Sequence, residues 1–296
     1  MTGNRGVLYP VRLPSFTRLL APEPVRDLVR WFWIAEWDIE PGRVSRQHIL
    51  AFPACNLVVE PGMTGLGGPA TRVSHRDLTG TGWAVGALLR PAAVAAFTAE
   101  PARLRNRYIP LDLPGLRAEV SEVMMAGTHR DARPRQAVSA FSDWLARHVP
   151  PPGADALLAN AMAALIDAQP EVVKVEDAAR ALGVSARTLQ RLARSYVGVP
   201  PLAMIRRRRL QEAAQLLREQ PGINIAQIAA ELGYADHAHL AGDFRAVLGF
   251  TPSAYRSQQH AGRPDGHLRQ PGTAGYNGLS YWVRVNPGRD HYGRPG

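Results

Sequence analysis

Two stretches of this 296-residue chain, fifty positions apart, carry the same local grammar. The first is Val175-Glu-Asp-Ala-Ala-Arg-Ala-Leu-Gly183 and the second is Ile225-Ala-Gln-Ile-Ala-Ala-Glu-Leu-Gly233. Leu182-Gly183 aligns with Leu232-Gly233 at an offset of 50, while Leu189 with Leu240 and Gly198 with Gly249 align at 51. The second copy therefore has one extra residue in its turn. A repeat of this kind constrains the fold first, because each copy must be one supersecondary unit. Each copy reads as a helix-turn-helix. A short helix carries paired alanines (Ala178-Ala179, Ala229-Ala230) that permit close packing. A glycine ends it in a left-handed cap. Ser185 or Asp236 then caps the next helix. That helix bears an apolar stripe: Leu189, Leu192, Ala193 and Tyr196 in the first copy, Leu240, Phe244 and Val247 in the second.

Between the copies, Pro201 to Glu219 is framed by proline at its start and Pro221-Gly222 beyond its end, and predicts a helix of about five turns. Leu202, Leu210, Ala213 and Leu217 share a face. At 100° per residue, Arg206 and Arg209 fall toward that face and Arg207 and Arg208 away from it. One of the inward arginines is expected to meet a buried acid, and the outward ones to face solvent or phosphate.

Charge supports the division. The chain carries a net charge of +10, and Lys174 is its sole lysine. Residues 1–171 hold a net +2, residues 172–256 hold +5, and residues 257–296 hold +3. The excess thus gathers on the duplicated segment, which points to an anionic partner and selects DNA over a membrane surface or an acidic substrate. One cysteine, Cys55, excludes a disulfide framework or a cysteine-rich metal site. The N-terminus shows no apolar signal core, and no stretch approaches the length of a membrane span. A cytoplasmic protein is expected.

The ordered landmarks resemble the AraC/XylS family of bacterial transcription regulators. They are Leu182-Gly-Val-Ser-Ala-Arg-Thr-Leu-Gln-Arg191, Tyr196-Val-Gly-Val-Pro-Pro201, Arg208-Arg-Leu210 with Ala213, and Ile228-Ala-Ala-Glu-Leu-Gly-Tyr-Ala-Asp236. His239-Leu240, Asp243-Phe-Arg245 and Gly249-Phe-Thr-Pro-Ser-Ala-Tyr-Arg256 complete the set. The resemblance covers about 100 residues, and it implies one seven-helix domain with both motifs joined by the long helix. It also implies activation as the commoner role, and RNA polymerase as a partner.

Helical geometry sorts the reading residues independently. With Leu189 inward, Arg187, Gln190, Arg191 and Arg194 fall on the opposite side. Arginine grips guanine O6/N7 and glutamine grips adenine N6/N7 bidentately; a solvated helix face is the rival reading. The family's base-contacting positions map onto Arg187, Gln190 and Arg191. With Leu240 inward, the second helix presents Ala238, Ala241, Gly242 and Arg245, flanked by His237 and His239. Gly242 stands where the family usually carries arginine, and Ala193 where it often carries a large aromatic. The expected reader is therefore asymmetric: the first motif specifies sequence, and the second positions on phosphate through Arg245 and its helix N-terminus. His237 and His239 are candidate DNA contacts, with packing or capping the alternative for His239. Two motifs in one chain predict successive major-groove segments about 10 bp apart.

The fold class expected is α+β: a cupin-like β domain with helices over 1–150, then an all-α domain over 154–256 with helix-turn-helix motifs at 175–196 and 225–247. A Gly/Pro-rich tail over 257–296 follows, expected to be disordered apart from a strand-like piece, Leu279 to Val285. Trp31 to Trp37, Gln47 to Phe52, Asn56 to Glu60 and Trp83 to Leu89 read as strands. Pro24 to Arg30, Pro91 to Thr98, Leu113 to Met125, Pro134 to His148 and Asp155 to Ala168 read as helices. Tyr9-Pro10, the Trp31 to Trp37 aromatics, His48-Ile-Leu-Ala-Phe-Pro53 and Gly86-Ala-Leu-Leu-Arg-Pro91 resemble the sensor or dimerisation domain of one group of AraC-type regulators. That resemblance implies a small-molecule effector or a homodimer without naming the effector.

Two readings compete with a regulator controlled in this way. A metal-binding or enzymatic cupin with an accessory DNA-binding domain would need clustered histidines and a carboxylate, yet His48 and His75 are isolated, with Glu60 and Asp77 unordered around them. A nonspecific charge-driven nucleic-acid binder is the second. Within the regulator reading, the aromatic group Trp31, Phe32, Trp33, Trp37 and Trp83 reads as core, with a pocket wall for an apolar or aromatic ligand as its functional alternative. Neither a nucleophile elbow nor a phosphate loop is present, and Cys55 reads as a packed thiol rather than a nucleophile. No catalytic residue, cofactor or metal is expected.

Overall fold

The computed structural model describes residues 15–49, 51–126, 131–220 and 222–261. Tyr9-Pro10 and the Leu279 to Val285 segment lie outside the described residues.

The first half is built on eight strands: β1 (Ser15–Leu20), β2 (Val29–Asp38), β3 (Ser45–Ile49), β4 (Asn56–Glu60), β5 (Met63–Gly67), β6 (Ser74–Leu78), β7 (Thr81–Leu89) and β8 (Tyr108–Leu111). Six form one sheet in the order β1-β2-β7-β4-β5-β8, and β3 pairs with β6. The nested antiparallel pairs β2·β7, β3·β6 and β4·β5 follow the double Greek key of the jelly rolls, the architecture that includes the cupins. A 3-10 turn at Glu23–Val25 stands where a helix to Arg30 was expected, because Val29 already opens β2.

Register explains the two faces of the sheet. Leu19, Phe32, Ala87, Leu57, Leu66 and Ile109 form one row across all six strands. This face packs on the helices α1 (Pro91–Val94), α2 (Pro114–Met125) and α3 (Arg133–His148), through Val94, Leu116, Val120, Phe141 and Leu145. Each fully buried leucine or phenylalanine there contributes about 1.5–3 kcal/mol relative to exposure.

The opposite face carries three aromatic rings seated on glycines. A Cβ on Gly86 would lie 2.1 Å from the Trp33 ring, one on Gly82 2.5 Å from Trp37, and one on Gly65 2.3 Å from Tyr108. The sequence aromatics therefore divide: Phe32 and Trp83 belong to or border the helix-side core, while Trp33 and Trp37 lie half-buried on the other face. Trp33 Nε1 donates to Asn56 Oδ1 at 3.1 Å.

The second half is helical: α4 (Ala154–Ala168), α5 (Val175–Ala181), α6 (Ala186–Leu192) continued by a π turn (Ala193–Val197), α7 (Pro201–Glu219), α8 (Ile225–Glu231), α9 (His237–Leu248) and α10 (Pro252–Ala261). The last helix continues to Ala261, five residues into the segment expected to be tail; residues beyond it lie outside the description. Two cores divide this half. One joins Met162, Ile166, Ala178, Leu189, Leu192 and Ile205 around the first repeat. The other joins Leu210, Leu217, Ile228, Leu240, Phe244 and Tyr255 around the second. α7 supplies residues to both, which ties the repeats into one body.

α7 also corrects the arginine assignment. Arg206 does pair with buried Asp243 of α9, as an inward arginine was expected to. Arg207 and Arg208, expected to face outward, are only 6% and 3% exposed. Arg207 Nε donates to the Ala51 carbonyl at 3.0 Å, and its guanidinium lies 4.1 Å from the Phe52 ring. Burial pulls the Arg207 guanidinium down to about 10, opposed by Asp167. Arg208 donates to Glu212 at 2.5 Å and to the Val172 carbonyl at 2.8 Å. A helical wheel with a single inward direction fails because α7 is covered on more than one side, by α4, by α9 and by the strand-rich half.

Further contacts tie the two halves together. Arg30 pairs with Asp167 at 2.5 Å, Arg105 Nη2 donates to the Gly198 carbonyl at 3.0 Å, and Val73 N donates to the Ala246 carbonyl at 3.2 Å. Both repeats thus touch the strand-rich half.

Candidate nucleic-acid interface

The first repeat is folded by local signals that are all present. α5 ends at Ala181 with Leu182 as its C-cap, and Gly183 takes φ 66°, the left-handed region a side chain rarely adopts. Ser185 Oγ accepts from Thr188 N at 3.1 Å and starts α6. Leu189 and Leu192 are fully buried. Their burial fixes the rotation of α6, which turns Arg187, Gln190 and Arg191 outward, with Arg194 following in the π turn, all four exposed. With Ser185 and Thr188 they line one open depression. Four long donors on an exposed helix face suit a groove lined with acceptors.

One of these donors has a partner on the surface. Arg191 Nη1 donates to Asp155 Oδ2 of α4 at 2.8 Å, and both side chains are about half exposed (54% and 51%). The Arg191 hydrogen bond holds the Asp155 carboxyl below the usual carboxylate range, and the same bond raises the Arg191 guanidinium. Sequence reasoning missed this contact because thirty-six residues separate the pair.

The Ala193 departure has a structural counterpart. Ala193 is fully buried at the start of the π turn, and that turn packs on α1 and on a 3-10 turn at Pro101–Leu104. A small residue is compatible with that approach. Gly198, at φ 85°, closes the turn against the Pro101 backbone, where a Cβ would stand 2.6 Å away.

The second repeat copies the scaffold but presents different chemistry. Gly233 takes φ 67°, and Asp236 Oδ1 accepts from His239 N at 2.7 Å. Leu240 and Phe244 are fully buried. His237, Ala238, His239, Gly242 and Arg245 are exposed, and Ala241 is partly so. The His239 ring meets Tyr234 edge-on at 5.4 Å, and its Nε2 is 4.0 Å from Asp243 Oδ2. The imidazole therefore borders the Arg206–Asp243 pair while its side chain stays 55% exposed. Arg245 lies in the last turn of α9, where a cation complements the helix dipole. A Cβ built on Gly242 meets nothing within 4 Å, so this gap in the face is open space.

Elsewhere, Glu60 and Arg76 form a bidentate pair at 2.5 Å, and Tyr108 Oη lies 3.5 Å from the same carboxylate. Among the described residues, no group of three or more His, Cys, Asp or Glu side chains is placed to hold a metal ion, and no helix is long and apolar enough to cross a membrane. Cys55 is buried, and burial pushes its thiol up to about 12.

Comparison with known proteins places these features. Residues 178–258 match the model of a helix-turn-helix domain family, and residues 17–110 match a domain of unknown function, DUF6597. The chain is 34% identical over 107 residues to the HTH-type transcriptional activator RhaS of Escherichia fergusonii, covering 36% of this chain and 38% of that protein. It is 36% identical over 84 residues to the HTH-type transcriptional activator AarP of Providencia stuartii, covering 28% of this chain and 62% of that protein. The matches therefore span less than two thirds of either relative. Among solved structures, a transcriptional regulator with an AraC-type DNA-binding domain from Chromobacterium violaceum is 30% identical, covering 34% of this chain and 91% of that chain, with a TM-score of 0.31.

Proposed function

We propose, for a chain that belongs to the AraC/XylS family of transcription regulators, that it binds duplex DNA by placing α6 and α9 in successive major-groove segments about 10 bp apart. The observation that carries this reading is the face of α6. Buried Leu189 and Leu192 hold Arg187, Gln190, Arg191 and Arg194 outward together. α6 is the sequence-reading helix, with arginine and glutamine contacts to base edges. α9 is the positioning helix: Arg245 and the amide-rich end near His237 address phosphate, and the small side chains Ala238, Ala241 and Gly242 leave little to read bases.

The proposal extends to three regions with their own boundaries: a cupin-like sensor or dimerisation domain over 1–150, the DNA-binding domain over 154–256, and a Gly/Pro-rich tail over 257–296. The strand-rich half controls binding, through a small-molecule effector or through pairing of two chains, and RNA polymerase is the downstream partner. Contacts from that half to Gly198 and Ala246 support such control, since they reach both repeats.

Selection of bound duplexes from a random pool, repeated across salt concentrations, tests the reading. A recovered site with two conserved blocks one helical turn apart is the expected result. Recovery of no consensus, with affinity set by salt alone, would leave only a charge-driven binder.

A further inference from the structure

We propose that Asp155, outside both repeats, is a positioning residue that sets the base preference of Arg191. The proposal rests on the reading of α6 as the sequence-reading helix.

Three observations converge. The Arg191–Asp155 pair is half exposed on both sides, and exposed pairs of this kind add little to folding stability. Stability therefore gives the pair little reason to exist. Its location carries a cost instead. α4 sets a carboxylate beside the depression lined by Arg187, Gln190, Arg191 and Arg194, where a negative charge weakens attraction to phosphate. The geometry supplies what offsets that cost. Asp155 Oδ2 takes a single bond, from Arg191 Nη1. The Nε–Nη2 edge of the guanidinium lies on the other side of the fork and carries the two parallel N–H groups that guanine O6/N7 accept. A long side chain otherwise free among many rotamers is held with that edge available. The carboxylate also disfavours a phosphate at the same spot, so Arg191 is steered from backbone to base. The low proton affinity of Asp155 keeps the pair charged through neutral pH.

The experiment uses the full chain and the duplex recovered by site selection. Arg191→Ala first identifies the guanine whose replacement no longer matters. At that position, Asp155→Asn should cut the preference for guanine by up to about fivefold, the range open to an exposed ion pair. Its affinity for random duplex should rise, with a steeper salt slope, because one negative charge is gone. Asp155→Glu should keep most of the preference. Substituting 7-deazaguanine, which lacks the N7 acceptor, should weaken wild-type binding more than Asp155→Asn binding. In the Arg191→Ala background, Asp155→Asn should remove no further preference. If Asp155→Asn binds every duplex more tightly with its guanine preference intact, Asp155 only repels and the proposal fails. A further loss of preference without Arg191 overturns action through Arg191. A wild-type chain that selects no site overturns the parent reading, and this proposal with it.

Discussion

Asn160 Oδ1, on α4, accepts a hydrogen bond from the backbone N–H of Ala92 at 2.9 Å. Ala92 lies in the first turn of α1, where amides have no partner within the helix. The Asn160 amide also donates to the Asp27 carbonyl at 2.8 Å. One buried side chain thus satisfies two main-chain groups of the strand-rich half. Asn160→Ala should cost about 1–3 kcal/mol, chiefly for the Ala92 N–H left buried and unpaired, read by urea unfolding. Asn160→Asp should be at least as damaging at neutral pH. Acidification should recover part of the loss, because a protonated carboxyl regains a donor.

Arg187 and Arg245 should fail in different ways. Arg187→Ala should relax base preference at one position of the selected site, at a cost of roughly 1–3 kcal/mol. Arg245→Ala should weaken binding to all duplexes alike and lower the salt slope by about one. Affinity measured on the selected and random duplexes over a salt series separates them. An altered base preference in Arg245→Ala would contradict its phosphate role.

Gly242 invites a gain of function. Nothing stands within 4 Å of a Cβ there, and the residue sits inside α9 without a left-handed backbone. Gly242→Ala should raise thermal stability by about 0.5–1 kcal/mol, from helix propensity alone, and leave DNA affinity unchanged. Gly242→Arg should gain similar stability and also tighten DNA binding, measured by titration at fixed salt. An arginine variant no tighter than the alanine variant would show that this point of α9 does not approach DNA.

Cys55 should be inert. At neutral pH its thiol, raised to about 12 by burial, carries no thiolate to react with iodoacetamide. Labelling should appear only with unfolding, followed by mass spectrometry across a urea series. The linkage has a defined sign. The unfolded thiol ionises near 9.0 and the folded one near 12, so this group's contribution is fully present below 9.0 and declines as pH rises between those values.

The repeats were legible because their signals are local. Gly183 and Gly233 do take positive φ, and Ser185 and Asp236 do cap their helices. Each of these needs only its neighbours in sequence. The outward face of α6 followed from one leucine and the helical period. The strands divide on the same principle. Asn56–Glu60 and the hydrophobic part of Thr81–Leu89 announce themselves by composition. Met63-Thr-Gly-Leu-Gly67 and Ser74-His-Arg-Asp-Leu78 do not, since glycine and charge disguise strands that their partners define. Pairings such as Arg207 with Ala51, Arg191 with Asp155 and Arg105 with Gly198 link residues far apart in sequence. No periodicity reports a contact that exists only once the chain has folded.

The three rings seated on glycines make part of the sheet hard to change by single steps. A methyl added at Gly86 collides with Trp33, and a smaller residue at Trp33 uncovers a bare stretch of backbone. The viable path runs through both positions together, and the same holds for Gly82 with Trp37 and Gly65 with Tyr108. In a library of random variants these pairs should covary: a side chain becomes tolerable at the glycine only in clones whose ring has already shrunk. That face of the protein would then evolve in linked jumps, two positions at a time.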